Sequence, residues 1–154
     1  LAQALELVGD WWTPLIVRDV FLGLHRFDEL VENLGVSRNL LTRRLAMLTK
    51  HKIVARKVYF RRPVRYEYRL TAAGEELVPI LVALTAWGDR WSAPAGGAAI
   101  EFVHTACGHR FAPRIVCSEC GEEIAAATTL GVARPGARSG PGVTVIARKL
   151  GQAT

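Results

Sequence analysis

The hydrophobic pattern of this chain changes period once, near Ile53, and that change limits the folds open to it. Upstream, apolar residues recur at helical spacing. Leu1, Leu5 and Val8 share one side of a first segment that Gly9 ends. Thr13 followed by Pro14 reads as a cap with proline at the first helical position, opening a second helix whose stripe is Leu15, Ile16, Val20 and Phe21. After a short extended link at residues 25–27, residues 28–34 supply a third helix with Leu30, Val31 and Leu34 inward. Gly35 and Val36 make a turn, and Ser37 caps a fourth helix reaching about His51, striped by Leu40, Leu41, Leu45 and Leu48. Downstream of the change, residues 53–60 and 64–70 are rich in Val, Tyr and Phe, and Arg61-Arg62-Pro63 between them reads as the turn of a β-hairpin. Thr71 then caps a closing helix, with Glu75 and Glu76 in its early turns and Leu77, Ile80, Leu81, Leu84, Trp87 and Trp91 along one face.

Charge follows the same division. The net charge is +6, yet residues 34–69 hold eleven Lys or Arg against one acid, Glu67, so the rest of the chain is net acidic. Gathering basic side chains on one segment is what a surface facing a polyanion requires, although charge alone is equally met by a solvated face. The order of elements decides: helices, a hairpin and a closing helix, with the basic residues on the fourth helix and the hairpin, is a winged helix-turn-helix. The expected fold is therefore mainly α with a small β-hairpin wing, over residues 1–92.

In that arrangement the fourth helix enters the major groove of double-stranded DNA, where base edges carry a distinctive donor and acceptor pattern. Ser37, Arg38, Asn39, Thr42 and Arg43 lie on or near its outward N-terminal side, where base edges are reached. Arg can offer two donors to guanine, and Asn can bond adenine through both its amide groups. Arg44, Lys50, Arg56, Lys57, Arg61, Arg62 and Arg65 are positioned to neutralise phosphates or, at the hairpin tip, to enter a minor groove.

Several stretches, in order and at matching intervals, resemble the HxlR-type winged-helix regulators. They are Ala4-Leu5-Glu6-Leu7-Val8-Gly9, Trp12-Thr13 with Leu15-Ile16, Arg26-Phe27-Asp28-Glu29-Leu30, Leu41-Thr42-Arg43-Arg44-Leu45, and Tyr66-Glu67-Tyr68-Arg69-Leu70-Thr71 before Gly74. The resemblance covers about residues 2–91. It implies a homodimer joined through the first and last helices, binding inverted repeats near promoters, mostly as a repressor. Several members of that family sense oxidants through a cysteine near the N-terminus; no cysteine precedes Cys107 here, which leaves the sensed signal open.

Residues 93–99, dominated by Ala, Gly and Pro, read as a linker, and residues 100–154 as an appendage. Its pairs His104/Cys107 and Cys117/Cys120, each followed by a glycine, have the spacing of a closed Cys₃His zinc site, with His109 as an alternative to His104. Strands at residues 102–103 and 114–116 would complete a small β-rich, zinc-ribbon-like unit whose metal is structural, since so short a segment has little core. The same thiols are open to two other readings: a redox switch in which Cys117 and Cys120 oxidise together, and buried thiols without metal. The tail after Ala125 says little, and residues 143–147 read as an added strand or a mobile segment.

No apolar run approaches the roughly 20 residues that cross a bilayer, and nothing at the start resembles a secretion signal, so the expected compartment is the cytoplasm. The chain opens at Leu1 rather than Met, which leaves residues ahead of it open. An enzyme is not expected. A zinc-dependent nucleobase deaminase would need a His-x-Glu that is absent, and no phosphate-cradling loop or nucleophile elbow occurs. A protein-interaction module using the zinc ribbon as its docking surface is the remaining rival; unlike a DNA binder, it would show no steep salt dependence on duplexes.

Overall fold

The apolar stripes of three helices meet the base of the hairpin in one core, made of Ile16, Val17, Val20, Leu30, Leu41, Leu45, Leu48, Ile53 and Val54. Each such side chain, fully buried, contributes on the order of 1.5–3 kcal/mol relative to exposure. This is seen in a computed structural model of the chain, which describes residues 1–92, 97, 100–132 and 144–151. The elements run α1 (Ala2–Val8), α2 (Trp12–Phe21), α3 (Phe27–Leu34), α4 (Arg38–Lys50), β1 (Val54–Arg61), β2 (Val64–Leu70), α5 (Ala72–Glu75), α6 (Leu77–Ser92), β3 (Val103–His104), β4 (His109–Arg110), a 3₁₀ turn (Ala126–Thr128) and α7 (Thr144–Gly151). The expected class, mainly helical with a two-stranded wing, is what the structure has. Contacts divide the chain into two compact units, Gln3–Pro113 and Arg114–Thr154. The expected linker at residues 93–99 lies, except for Gly97, outside the described residues.

Within the first unit, β1 and β2 pair antiparallel from Val54 opposite Leu70 to Arg61 opposite Val64, with an irregularity between Val58 and Phe60. The link before α3 adds one further antiparallel bridge, Arg26 to Glu67, and the Tyr68 N–H donates to the His25 carbonyl at 2.8 Å. Gly35 takes a left-handed conformation, φ 62°, at the end of α3, and turns the chain into α4. Ser37 caps α4 as expected, its Oγ accepting from the Leu40 N–H at 3.3 Å.

The start of α2 differs from expectation. The cap is Asp10, not Thr13: Asp10 Oδ1 accepts from the N–H groups of Trp12 (2.9 Å) and Thr13 (3.1 Å), and Oδ2 takes the Thr13 hydroxyl. Thr13 itself is fully buried in the first turn. The inward stripe consequently rotates to include Val17, while Leu15 is half-buried and Phe21 exposed. Burial pushes the Asp10 carboxyl up, but the hydrogen bonds from Thr13 and Trp12 and the charge of Arg44 outweigh it and hold it below its ordinary 3.8. A depressed carboxylate stabilises at neutral pH, and this contribution is lost as pH falls from about that value through the folded-state one. Asp10→Ala is expected to cost about 1–2 kcal/mol, seen as a lower midpoint in urea at pH 7, with the difference from the parent shrinking below pH 4.

The closing helix is also not continuous. Thr71 caps α5, its Oγ1 accepting from the Gly74 N–H at 3.3 Å, but the helix breaks at Glu76 before α6 resumes. Pro79, in the first turn of α6, explains the break, since it has no N–H to bond the carbonyl of Glu75 four residues back.

Past residue 100, strands are shorter than expected. β3 and β4 pair His104 with His109, and residues 114–116 carry a single bridge, Val116 to Glu123, in place of a strand. Residues 144–147 belong to helix α7, not to an added strand. Among the described residues no helix is long and apolar enough to cross a membrane.

Candidate nucleic-acid interface

Helix α4 divides its residues cleanly. Leu41, Leu45 and Leu48 are buried, and Arg38, Asn39, Thr42, Arg43 and Lys50 are exposed. Of the outward group, Asn39, Arg43 and Lys50 make no hydrogen bond or ion pair among the described residues. The others are engaged. Ser37 Oγ is taken by its capping bond, and the Thr42 hydroxyl donates to the Arg38 carbonyl at 2.8 Å. Arg38 lies 2.6 Å from the Asp28 carboxylate, with its guanidinium 4.8 Å over the Phe27 ring. Arg44 is half-buried and pairs at 3.3 Å with Asp10, so it ties α4 to the start of α2.

The hairpin holds its cations on aromatic faces. Arg56 sits 4.1 Å over Tyr66 and Arg65 5.9 Å over Phe60, contacts that orient a guanidinium without neutralising it. Lys57 lies across from Glu67 in the ladder. Glu67, the one acid of the basic tract, accepts from Arg69 at 3.2 Å. That hydrogen bond, opposed by desolvation and aided by the charges of Arg69, His25 and Lys57, holds its carboxyl below the usual range. At the tip, Arg61 and Arg62 are exposed and unpaired among the described residues.

Sequence reasoning missed one part of this surface. Arg26 stacks 5.1 Å over Tyr59 of the wing and, with Phe27, Asp28, Arg38, Tyr59 and Arg65, lines a groove of about 610 Å³ between α3 and the hairpin, to which α4 contributes Arg38. The groove joins residues more than thirty positions apart in the chain, a relation that local periodicity cannot reveal.

The two Cys/His pairs each occupy a tight turn. In the first unit, Gly108 N–H donates to the His104 carbonyl at 2.8 Å with Gly108 at φ 72°, and His104 Nδ1 lies 3.4 Å from Cys107 Sγ. In the second, Gly121 N–H donates to the Cys117 carbonyl at 2.9 Å with Gly121 at φ 75°. Hydrogen bonds from the backbone N–H groups of Cys120 and Glu119, then from the Cys120 side chain, pull the Cys117 thiol below its ordinary value. Three thiols and an imidazole suit zinc chemically. Among the described residues, however, no three His, Cys, Asp or Glu side chains are gathered closely enough to hold an ion.

Comparison with known proteins gives the surface a context. The family described as HxlR-like helix-turn-helix matches residues 7–96. An uncharacterised HTH-type transcriptional regulator of Mycobacterium tuberculosis is 44% identical over 126 residues, 82% of this chain and 80% of that protein. Its match is longer than the family region, so the similarity carries beyond it. Among solved structures, PA1607, a proposed transcription factor, superposes with a TM-score of 0.75 at 34% identity, covering 87% of this chain and 93% of that one. The reduced form of the transcriptional regulator YodB from Bacillus subtilis gives 0.53 at 32% identity, covering 63% and 94%.

Proposed function

Since the chain belongs to the HxlR-like helix-turn-helix family and is a DNA-binding transcriptional regulator, we propose that it acts in the cytoplasm as a homodimeric repressor, reading a palindromic operator with α4 in the major groove and the wing on the adjoining backbone. The observation that carries this reading is the pairing state of the arginines. Among the described residues, Arg43 and Asn39 at the outward N-terminal part of α4, and Arg61 and Arg62 at the wing tip, are exposed and make no hydrogen bond or ion pair, as does Lys50 further along α4. Arg43 and Asn39 read base edges; Arg61 and Arg62 take phosphates or a minor groove. Ser37, Arg38 and Thr42 flank the reading positions, while Lys50, Arg56, Lys57 and Arg65 supply charge along the backbone. Arg44 serves chiefly to hold α4 in place.

Dimerisation is supported by α6. Ile80, Leu84, Trp87 and Trp91 recur at intervals of four, three and four residues and are 55–69% exposed, a seam with no covering among the described residues. In α1 no residue is buried and Leu5 is half-exposed, which fits a second contribution to the same interface. Residues 1–92 then form the DNA-binding and dimerisation domain, 93–99 a linker, and 100–154 an appendage, for which the spacing of His104, Cys107, Cys117 and Cys120 makes them the proposed ligands of a structural zinc, although the described side chains do not stand gathered for an ion. The sequence spacing and the two glycine-closed turns support that last assignment. Protein purified without chelator is expected to carry about one zinc per chain by elemental analysis; a metal-free protein whose thermal midpoint ignores added zinc would discard the ligand set.

The roles on DNA separate by mutation. Arg43→Ala is expected to weaken operator binding by about 1–3 kcal/mol while leaving binding to random duplex almost unchanged. Arg62→Ala is expected to weaken both alike and to reduce the slope of log K against log salt by about one. Equal losses for both variants on both duplexes would contradict this division.

A further inference from the structure

Away from the DNA-facing surface, α2 and α6 flank a half-open cavity of about 170 Å³. Its walls are apolar: Pro14, Leu15 and Phe21 from α2, Leu81 and Val82 from α6, and Phe102. The volume is well below that of ordinary drug-sized pockets and close to the roughly 150 Å³ at which a dry apolar cavity holds benzene. Its depth therefore suits one ring, with the mouth open to solvent beside Phe21 and Leu84, both about half exposed. Thr85, also on the wall, has spent its hydroxyl proton on the Leu81 carbonyl at 2.9 Å. That leaves Arg18 as the group in the lining with donors to offer.

Arg18 is only partly engaged. Its Nε (2.8 Å) and Nη2 (2.7 Å) both donate to the same oxygen, Asp19 Oδ1. The remaining N–H groups have no hydrogen-bond partner among the described residues, and the side chain is one-third exposed. Asp19 is 1% exposed, and its other oxygen accepts from Asn33 Nδ2 at 2.6 Å. Asn33 belongs to the last turn of α3, immediately before the bend that sets the direction of α4. A buried carboxylate depends strongly on its partners, so any anion that competes for Arg18 disturbs what Asp19 holds.

We propose that this cavity is an effector site for a compact aromatic carboxylate, whose ring fills the space between α2 and α6 and whose carboxylate pairs with Arg18. Drawing Arg18 toward the ligand weakens its hold on Asp19, and with it the Asp19–Asn33 tie that fixes α3 beneath the reading helix. The ligand thus favours a state in which α4 is less well held and DNA affinity is lower. This regulatory half rests on the DNA-binding reading above; the binding half does not.

Benzoate is the probe, with benzamide as the uncharged ring and acetate as the charge without a ring, all at matched ionic strength on the full chain. Benzoate is expected to receive saturation transfer from the Leu81 and Val82 methyl groups, to raise the thermal midpoint, and to lower operator affinity at least about fivefold, in the usual range of allosteric couplings. Benzamide is expected to bind more weakly and acetate not at all. Thr85→Phe, which fills the cavity from α6, is expected to abolish all three benzoate effects; the methyl transfer in the parent protein tests the site even where that variant fails to fold. No transfer to benzoate at 10 mM, or binding that persists in folded Thr85→Phe, overturns the site. Equal binding of benzoate and benzamide overturns the role of Arg18, and binding without a change in operator affinity overturns the regulatory half. A protein that binds benzoate but no duplex would sink the operator reading and leave the site standing.

Discussion

Trp87→Glu, alone or with Leu84→Glu, is expected to yield a folded monomer whose operator affinity is at least about 100-fold lower, because two half-sites are no longer engaged by one linked molecule. The expectation follows from which face of α6 these residues occupy. Leu77 and Leu81 pack against the core and Val82 is buried, whereas Trp87 is 60% and Leu84 55% exposed. In a monomer a carboxylate at either position stays in water at little cost; in an apolar seam it must be desolvated without a partner, which an interface does not tolerate. Sedimentation should show the parent as a dimer and the variant as a monomer, with circular dichroism unchanged. A variant that remains dimeric, or a parent that is monomeric at micromolar concentration, would remove α6 from the interface.

Gly74→Ala is expected to destabilise the first unit by about 3 kcal/mol, through a backbone clash that cannot relax cheaply. A Cβ at Gly74 would stand 2.2 Å from the Ile53 carbonyl oxygen. That carbonyl cannot simply retreat, since it already accepts from the Thr71 N–H at 3.1 Å and Ile53 is in the core. The close approach is what lets α5 sit against the start of the hairpin. For a domain near 100 residues such a loss corresponds to a fall of roughly 12–24 °C in thermal midpoint. Gly88→Ala is the control, with both glycine substitutions made in the monomeric Trp87→Glu background because position 88 borders the α6 seam: a Cβ there meets nothing within 4 Å, so helix propensity alone should make it neutral or stabilising by up to about 1 kcal/mol. Similar behaviour of the two variants would show that the contact at Ile53 is not what makes Gly74 necessary.

Much of this architecture was legible in the sequence because local rules and tertiary packing agree in it. The Leu stripe of α4 and its Ser37 cap, the change of period at Ile53 and the arginine turn between the strands each satisfy one local rule, and the core uses them unchanged. Where two local solutions compete, the reading failed. Thr13-Pro14 is a good helix start, but Asp10, three residues earlier, offers a carboxylate to two N–H groups and to Arg44 as well, and that fuller set of partners wins. The break at Glu76 was visible in Pro79 but was outweighed by the long apolar stripe around it. At the interface, exposure of Arg38 and Arg43, though not the half-burial of Arg44, was readable from the helical period. Their pairing was not, because the Arg38–Asp28 and Arg44–Asp10 contacts depend on how helices meet in space. Residues 144–151 begin with a β-branched run, Thr144-Val145-Ile146, which favours a strand as much as a helix, so their helix could not be read locally.

Whether α4 reads a duplex is decided by hydroxyl-radical footprinting of the protein on its own operator, selected from genomic fragments. Reading by α4 predicts two dyad-related windows of sugar-backbone protection centred roughly 34 Å apart, each bordering the major groove that one α4 occupies, with outer protection from the wings that disappears in Arg61→Ala/Arg62→Ala. Uniform protection along any duplex, or a footprint unchanged when Asn39 and Arg43 are both replaced by alanine, would contradict it.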